Sequence, residues 1–491
     1  MRETSAVAVA FAVVLLGCSA SSSDDAPDPD PDPTAVDPFA APPDRGAGLT
    51  DVSADLDAIL EHGALATACA DYERAPDDRR LRLLCGKAMF FDEAFGTAGV
   101  PKPIVTWLLD SFPDEVGPGF ARFGMVADPR SADALPLGLP PGPRLGGNVE
   151  TVSFGCASCH FGRLPDGRYA VGAPNHAYDY GRMTLVMTLL PALAIPGADP
   201  SAHDADALAV VQPFRARMDA NPALGTALIT ALLPLITGGG GMLPAFEPLD
   251  EHWYARWASG TMDFFIAPLP FDDKVHTVSK ISSLWSFADE EELRAAGAPN
   301  LMLGWTGGTS SVHNFLAGFV DLGGGQIGEW PRERLAPLHD YVLSLRAPEP
   351  PAVAAADAAR GREVWLAAGC QDCHGGPRGM GTEVYTFEEI GTDDAMRWWA
   401  DGPDHDGAPY GDLRFQPGDT ITHGLKSPRL VGLWAMSRFL HNGALDSLEQ
   451  LLCVEPRGGI TEAAFADGGH TYGCDLPESD RRALVAYLRS H

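Results

Sequence analysis

The sequence predicts a mainly α-helical protein with extensive loops, organised as two domains. Three observations carry that expectation. The length of 491 residues exceeds what one hydrophobic core organises. Two Cys-x-x-Cys-His motifs stand far apart, at Cys156/Cys159/His160 and Cys370/Cys373/His374. The 54 Gly and 42 Pro favour short helices on long connections.

Met1-Arg2-Glu3 precede an apolar run from Ala6 to Leu16, too short to cross a bilayer, so 1–17 reads as a signal peptide. The ending Leu15-Leu16-Gly17-Cys18 resembles the bacterial lipobox, in which the cysteine is acylated and becomes the first mature residue. Cys18 is then a lipid anchor; cleavage as an ordinary secretory signal is the other reading, because Glu3 offsets Arg2. The expected location is the cell envelope, periplasmic or outer-membrane. Residues 18–49 contain Asp-Pro repeats between Asp28 and Pro33 and read as an acidic, extended tether.

The first domain is expected over 50–346. It opens with a helical region from Ser53 to Phe91, followed between Gly99 and Gly147 by a Pro- and Gly-dense stretch expected as loop. Pro222 to Thr237 is apolar but too short for a membrane span, and is expected as a buried helix. Arg334 to Arg346 has helical apolar spacing and ends at the stiff linker 347–351. The second domain, 352–491, opens with a helix over Ala352 to Ala368 and closes with one over Pro477 to Ser490, where acids lead and Arg489 trails.

In each motif two intervening residues let both thiols reach one porphyrin edge while the next residue supplies an imidazole to the iron, the chemistry of c-type haem attachment. Chance gives such a motif about 0.005 times in a chain of this composition. A zinc site or redox dithiol is the competing reading; the adjoining His and the exported context favour haem. Two covalently bound haems c are therefore expected, held by Cys156, Cys159 and His160 and by Cys370, Cys373 and His374. The order helix, motif, loop, helix in the second domain is the small cytochrome c pattern.

Removing Cys18 and the four motif cysteines from nine leaves Cys69, Cys85, Cys453 and Cys474. Four cysteines permit three connectivities, and the local pairs Cys69 with Cys85 and Cys453 with Cys474 are favoured because each lies inside one expected domain. The formal charge of −31 repels nucleic acid and favours a basic or neutral partner.

Lys426-Ser-Pro-Arg-Leu-Val-Gly-Leu-Trp434, Phe439-Leu-His-Asn-Gly-Ala444 and Leu448-Glu449 resemble the C-terminal domain of the bacterial dihaem cytochrome c peroxidase superfamily. Gly469-His-Thr-Tyr-Gly473 and the terminal Ala486-Tyr487-Leu488 look more like its rubber oxygenase branch, as do the long interval between motifs and Leu303-Gly-Trp-Thr-Gly-Gly308 with Ser310-Ser311-Val312. The likeness covers Leu81 to His491 and is strongest after Gly361.

The resemblance implies two cytochrome c-like haem domains and redox chemistry. The first haem would meet O2 or peroxide, and the second would relay electrons from a redox partner protein or small donor. Where peroxidases place a methionine ligand this chain reads Leu451-Leu452-Cys453-Val454-Glu455, so the resemblance points instead to His470 as distal ligand of the second haem, with His441 as rival. A Cys453–Cys474 bridge would hold that loop. At the first haem, His176 matches the interval of a displaceable distal histidine, and a structural loop histidine is the alternative; without it, Phe315 or Phe319 would line an open pocket. Trp305 is the candidate relay between haems, or a packing indole. The function expected is an oxidoreductase, peroxidase-like or dioxygenase-like; the alternative is a non-catalytic electron-transfer cytochrome of the envelope.

Overall fold

Each Cys-x-x-Cys-His segment forms one short helix, Cys156–His160 and Cys370–His374, and longer helices are arranged about them. The computed structural model describes residues 38–40, 43–46, 48–97, 99–145, 148–195, 197–237, 251–262, 278–297, 303–309, 311–322, 325, 327–401 and 416–491. The signal peptide, Cys18 and the Asp-Pro repeats lie outside them, as does Ser310. The fold is mainly helical, with 48% helix against 8% strand.

Two helix crossings set the frame, and each depends on a glycine. Helix Arg79–Asp92 is capped by Asp78, whose side chain accepts from Leu81 N–H, and buries a continuous run from Leu83 to Phe91. It crosses helix Arg332–Ser344 at Gly86, where a Cβ would lie 2.1 Å from the Pro337 carbonyl oxygen. Helix Ala355–Ala367 crosses the terminal helix Glu478–Arg489 at Gly361, where a Cβ would lie 2.1 Å from the Ala483 carbonyl oxygen. Only glycine lets either pair of backbones come this close. Cys69 is bonded to Cys85, tying helix Ala68–Arg74 to the first crossing, and Cys453 is bonded to Cys474.

The stretch from Gly99 to Gly147 departs from the loop expectation. It holds helices Lys102–Ser111 and Pro113–Val116, a 3-10 turn Pro118–Phe123 and strand Pro141–Leu145. Its prolines open these elements, where no backbone donor is lost, and Ile104, Val105, Trp107 and Leu108 give the longest one a buried face. Helix Ala223–Thr237 forms as expected but is not fully buried: Leu228 is enclosed, whereas Leu233 is 49% exposed.

Small antiparallel sheets complete the frame. Val52–Ser53, Tyr169–Val171 and Phe161–Arg163 form one, with Phe161 opposite Val171. Val100–Pro101, Val149–Val152 and Pro141–Leu145 form another. Two ribbons pair Thr261–Met262 with Ser279–Lys280 and Val384–Tyr385 with Leu425–Lys426.

The regions before and after 347–351 pack together, and Pro38–His491 form one compact unit. Trp285, fully buried, sits at the junction: its Nε1–H donates to Val171 O at 2.8 Å, and a Cβ on Gly432 would lie 2.7 Å from its ring. Arg429 donates to the carbonyls of Ser283 and Trp285, and Arg378 to those of Ser286 and Phe287 as well as to Glu292. The end of the expected tether is docked rather than free. Phe39 packs against Trp365 and Tyr487 and stacks on His491 at 4.1 Å, and Arg45 pairs with Asp289 and Glu292, because this part of an otherwise polar segment carries an aromatic ring and a cation.

Candidate functional site

The first motif helix starts after Gly155 and runs into strand Phe161–Arg163. Backbone bonds hold it on three sides: Gly155 N–H to Gly138 O at 2.9 Å, Gly172 N–H to His160 O at 2.8 Å, and Asn175 N–H to Cys159 O at 2.8 Å. Gly138, at φ +81°, passes so close that a Cβ would lie 2.1 Å from Ser158 N. Cys156 packs on the core built around Arg79–Asp92, and Cys159 on the core containing Tyr180–Leu193, so the motif lies in the seam between two packed masses.

Both thiols keep part of their surface, yet burial pushes Cys156 up to about 12 and Cys159 up to about 11. Burial also lowers His160 to about 4, only partly opposed by the Ser282 backbone, so the ring is neutral at pH 7 and keeps a lone pair for a metal. Its Nδ1 is buried without a hydrogen bond.

The second motif is more completely arranged. Helix Cys370–His374 follows Gly369, which takes φ 71° to turn the chain out of helix Ala355–Ala367. His374 Nδ1 lies 2.8 Å from Gly379 O. A carbonyl only accepts, so Nδ1 carries the proton and Nε2 keeps the lone pair, the arrangement of a metal-ligating histidine supported from behind. Trp365 packs 5.9 Å from the same ring. Burial, with the nearby His470, lowers His374 to about 4.

His470 stands opposite, its ring centroid 6.3 Å from that of His374. Two imidazoles on either side of one metal, with bonds of about 2 Å and ring centres about 1.1 Å behind each nitrogen, have centroids about 6 Å apart. The pair therefore fits one iron between them. His470 is presented by a firmly held loop: its N–H bonds Ile390 O at 3.0 Å, and the Arg457 guanidinium donates to the carbonyls of Gly469 and His470. His470 adopts φ 45°, a left-handed conformation in which histidine is among the better tolerated residues. The Cys453–Cys474 bond closes the segment.

His441 is engaged elsewhere. Its Nε2 lies 3.5 Å from Asp393, which also accepts from Asn442 at 2.8 Å, and Asn442 donates in turn to Ala466 O, so the His-Asn-Gly segment anchors the loop that leads to His470. His176 Nε2 donates to Ile281 O at 3.0 Å and its Nδ1 accepts from Ser437 N–H at 3.0 Å, so both ring nitrogens are spent and the residue latches the two halves together. Among the described residues no histidine or aromatic ring faces His160 as His470 faces His374. Phe315 and Phe319 meet edge to face at 4.8 Å, and Phe315 packs on the core that carries Cys156.

Trp305 is half-buried against Phe387, Met396, Ala400 and Leu425. The Lys280 ammonium lies 5.1 Å from its ring centre, and its carbonyl accepts Lys426 N–H at 2.8 Å. Lys280 and Met262, whose Sδ lies 4.0 Å from Cys159 Sγ, gave no signal in the sequence, and Lys426 entered only as the first residue of the segment that carries the resemblance. Burial lowers Lys280 to about 8 and Lys426 to about 7. No family model matches the chain, and no curated protein is similar to it.

Proposed function

We propose that the chain is an exported dihaem c-type cytochrome, anchored through Cys18, that acts as an oxidoreductase on O2 or peroxide at the His160 haem while the His374 haem serves electron transfer. The observation that carries this reading is the inequality of the two histidines: His374 has His470 across from it, and His160 has no such partner among the described residues. Haem iron supplies one-electron redox chemistry and, where a protein leaves an axial position free, a binding place for O2 or peroxide.

The chain's own residues divide the work. Cys156 and Cys159, and Cys370 and Cys373, would hold the two porphyrins, and His160 and His374 would each supply an imidazole to an iron. His374 is oriented by Gly379 O, and His470 would hold the same iron as a second histidine ligand, a donor set that suits electron transfer rather than substrate binding. His176 keeps its nitrogens in hydrogen bonds and acts as a positioning residue, while Phe315 and Phe319 would exclude water from the first site. Trp305 would relay an electron between the motifs. The acidic surface favours a basic or neutral redox partner protein or a small electron donor.

One observation favours a second reading. Met262 Sδ beside Cys159 is a thioether of the kind that ligates haem in electron-carrying cytochromes. With Met262 turned onto the free position both haems would be closed, and the protein would be a non-catalytic electron carrier of the cell envelope. Electron paramagnetic resonance of the resting and half-reduced protein separates the two. A high-spin five-coordinate haem supports the oxidoreductase; two low-spin haems in every redox state overturn it.

A further inference from the structure

Two lysines are buried with no carboxylate partner among the described residues, in a protein of net charge −31. Lys280 is 8% exposed, and its ammonium meets only the faces of Trp305, at 5.1 Å, and Phe439, at 5.5 Å; it has no ion pair among the described residues. Lys426 is 4% exposed and among the described residues its ammonium reaches only the Ser427 carbonyl, at 3.3 Å. Lys87 shows how this fold treats a buried lysine that serves structure alone. It is equally enclosed, but Glu61 stands at 2.8 Å, Asp51 at 3.2 Å and the Thr50 carbonyl at 2.7 Å.

Taking an ammonium out of water is costly, and a ring face offsets only part of that cost. No carboxylate among the described residues offsets this cost at Lys280 or Lys426, which leaves each a site for an anion. Both residues contact Trp305, Lys280 over its ring and Lys426 through its N–H on the Trp305 carbonyl. Lys280 pairs across its ribbon with Thr261, the neighbour of Met262, which lies against Cys159. Lys426 precedes Ser427, whose carbonyl accepts Gly381 N–H at 2.9 Å in the loop after His374.

We propose that Lys280 and Lys426 are the counter-cations of the cofactors' propionate carboxylates, Lys280 for the haem at His160 and Lys426 for the haem at His374. This rests on the dihaem reading above. Each ion pair satisfies a buried cation and an acid group that is itself enclosed, and each positive charge favours the reduced over the oxidised haem. The pairing also bears on Trp305. An unneutralised ammonium over its ring opposes any positive charge on the indole, and a carboxylate on Lys280 removes that opposition.

The test is spectroelectrochemical titration of the intact protein and of Lys280→Met, Lys426→Met and the corresponding Arg variants, with haem content measured on each by the pyridine haemochrome spectrum. Methionine fills the lysine volume without charge, and arginine keeps the charge. The expected result is two haems c per chain throughout. Lys426→Met should lower the reduction equilibrium of the bis-histidine haem at least tenfold, about 59 mV for one electron. Lys280→Met should do the same at the other haem, and each Arg variant should stay within about threefold of the parent. Two haems per chain with potentials unmoved by either Met substitution overturn the lysine assignment alone. A parent protein without covalent haem overturns both it and the reading on which it rests.

Discussion

His470 faces His374 across a gap of 6.3 Å between ring centroids, with the ring planes at 65°. The distance is that of two imidazoles sharing one metal, and His470 holds it from a backbone conformation, φ 45°, that glycine adopts without strain. His470→Gly is therefore expected to leave the unfolding temperature nearly unchanged while converting one low-spin haem to high-spin. Imidazole added to the variant should restore the low-spin signal. An unchanged spectrum in the variant would remove His470 from the iron.

The Cys453–Cys474 bond closes a loop with a sequence separation of 21, and that loop carries His470. A closure of this size stabilises a fold by about 3 kcal/mol. The double substitution Cys453→Ser/Cys474→Ser is expected to lower stability by that order in a denaturant titration and to leave part of the second haem high-spin. Full retention of the low-spin signal would show that Arg457 and the Asp393, His441, Asn442 cluster suffice to hold the loop.

His176 joins two distant parts of the chain, bonding Ile281 O and Ser437 N–H. Burial, with the charges of Lys280 and Arg438, lowers its folded pKa from 6.5 to about 3, against the one backbone bond that raises it. The unfolded chain thus binds a proton on this residue between about pH 3 and 6.5 while the folded chain does not. Its contribution is complete above pH 6.5 and declines as the pH falls toward 3. His176→Ala is expected to cost about 1–3 kcal/mol at pH 7, to flatten the loss of stability between pH 6.5 and 4, and to leave the spin state of the first haem unchanged. A change of spin state would make it an iron ligand instead.

Trp305 presents its ring to Lys280 and its carbonyl to Lys426 N–H. Trp305→Phe keeps an aromatic ring against the neighbouring Phe387, Met396, Ala400 and Leu425 but is much harder to oxidise. Electron transfer between the haems, followed by stopped-flow reduction, should slow at least tenfold with both potentials unchanged. An equal rate would show that the indole only packs.

Much of the second site was legible because its signals are local. The Cys-x-x-Cys-His spacing and the terminal helix with its leading acids and trailing Arg489 are read within a few residues, the spare cysteines by their even number, and His470 by the resemblance of its Gly-His-x-Tyr-Gly setting. What escaped depends on distant partners. Nothing near Lys280 or Lys426 marks either as buried, since Trp305 and Phe439 enclose the first from other parts of the chain. The interval from His160 to His176 suggested a ligand, but Ile281 and Ser437, 105 and 261 residues beyond His176, take both its nitrogens. Helix Lys102–Ser111 was hidden by flanking prolines that proved to be helix starters.

The most direct test of two unequal haems is the optical spectrum of the dithionite-reduced protein with and without carbon monoxide, quantified against haem content. Carbon monoxide takes only an axial position that the protein leaves free or holds weakly. Two haems per chain with one CO bound, at the His160 haem and not at the His374 haem, is the predicted result. Binding of CO to neither haem, or tight binding to the His374 haem, would contradict it.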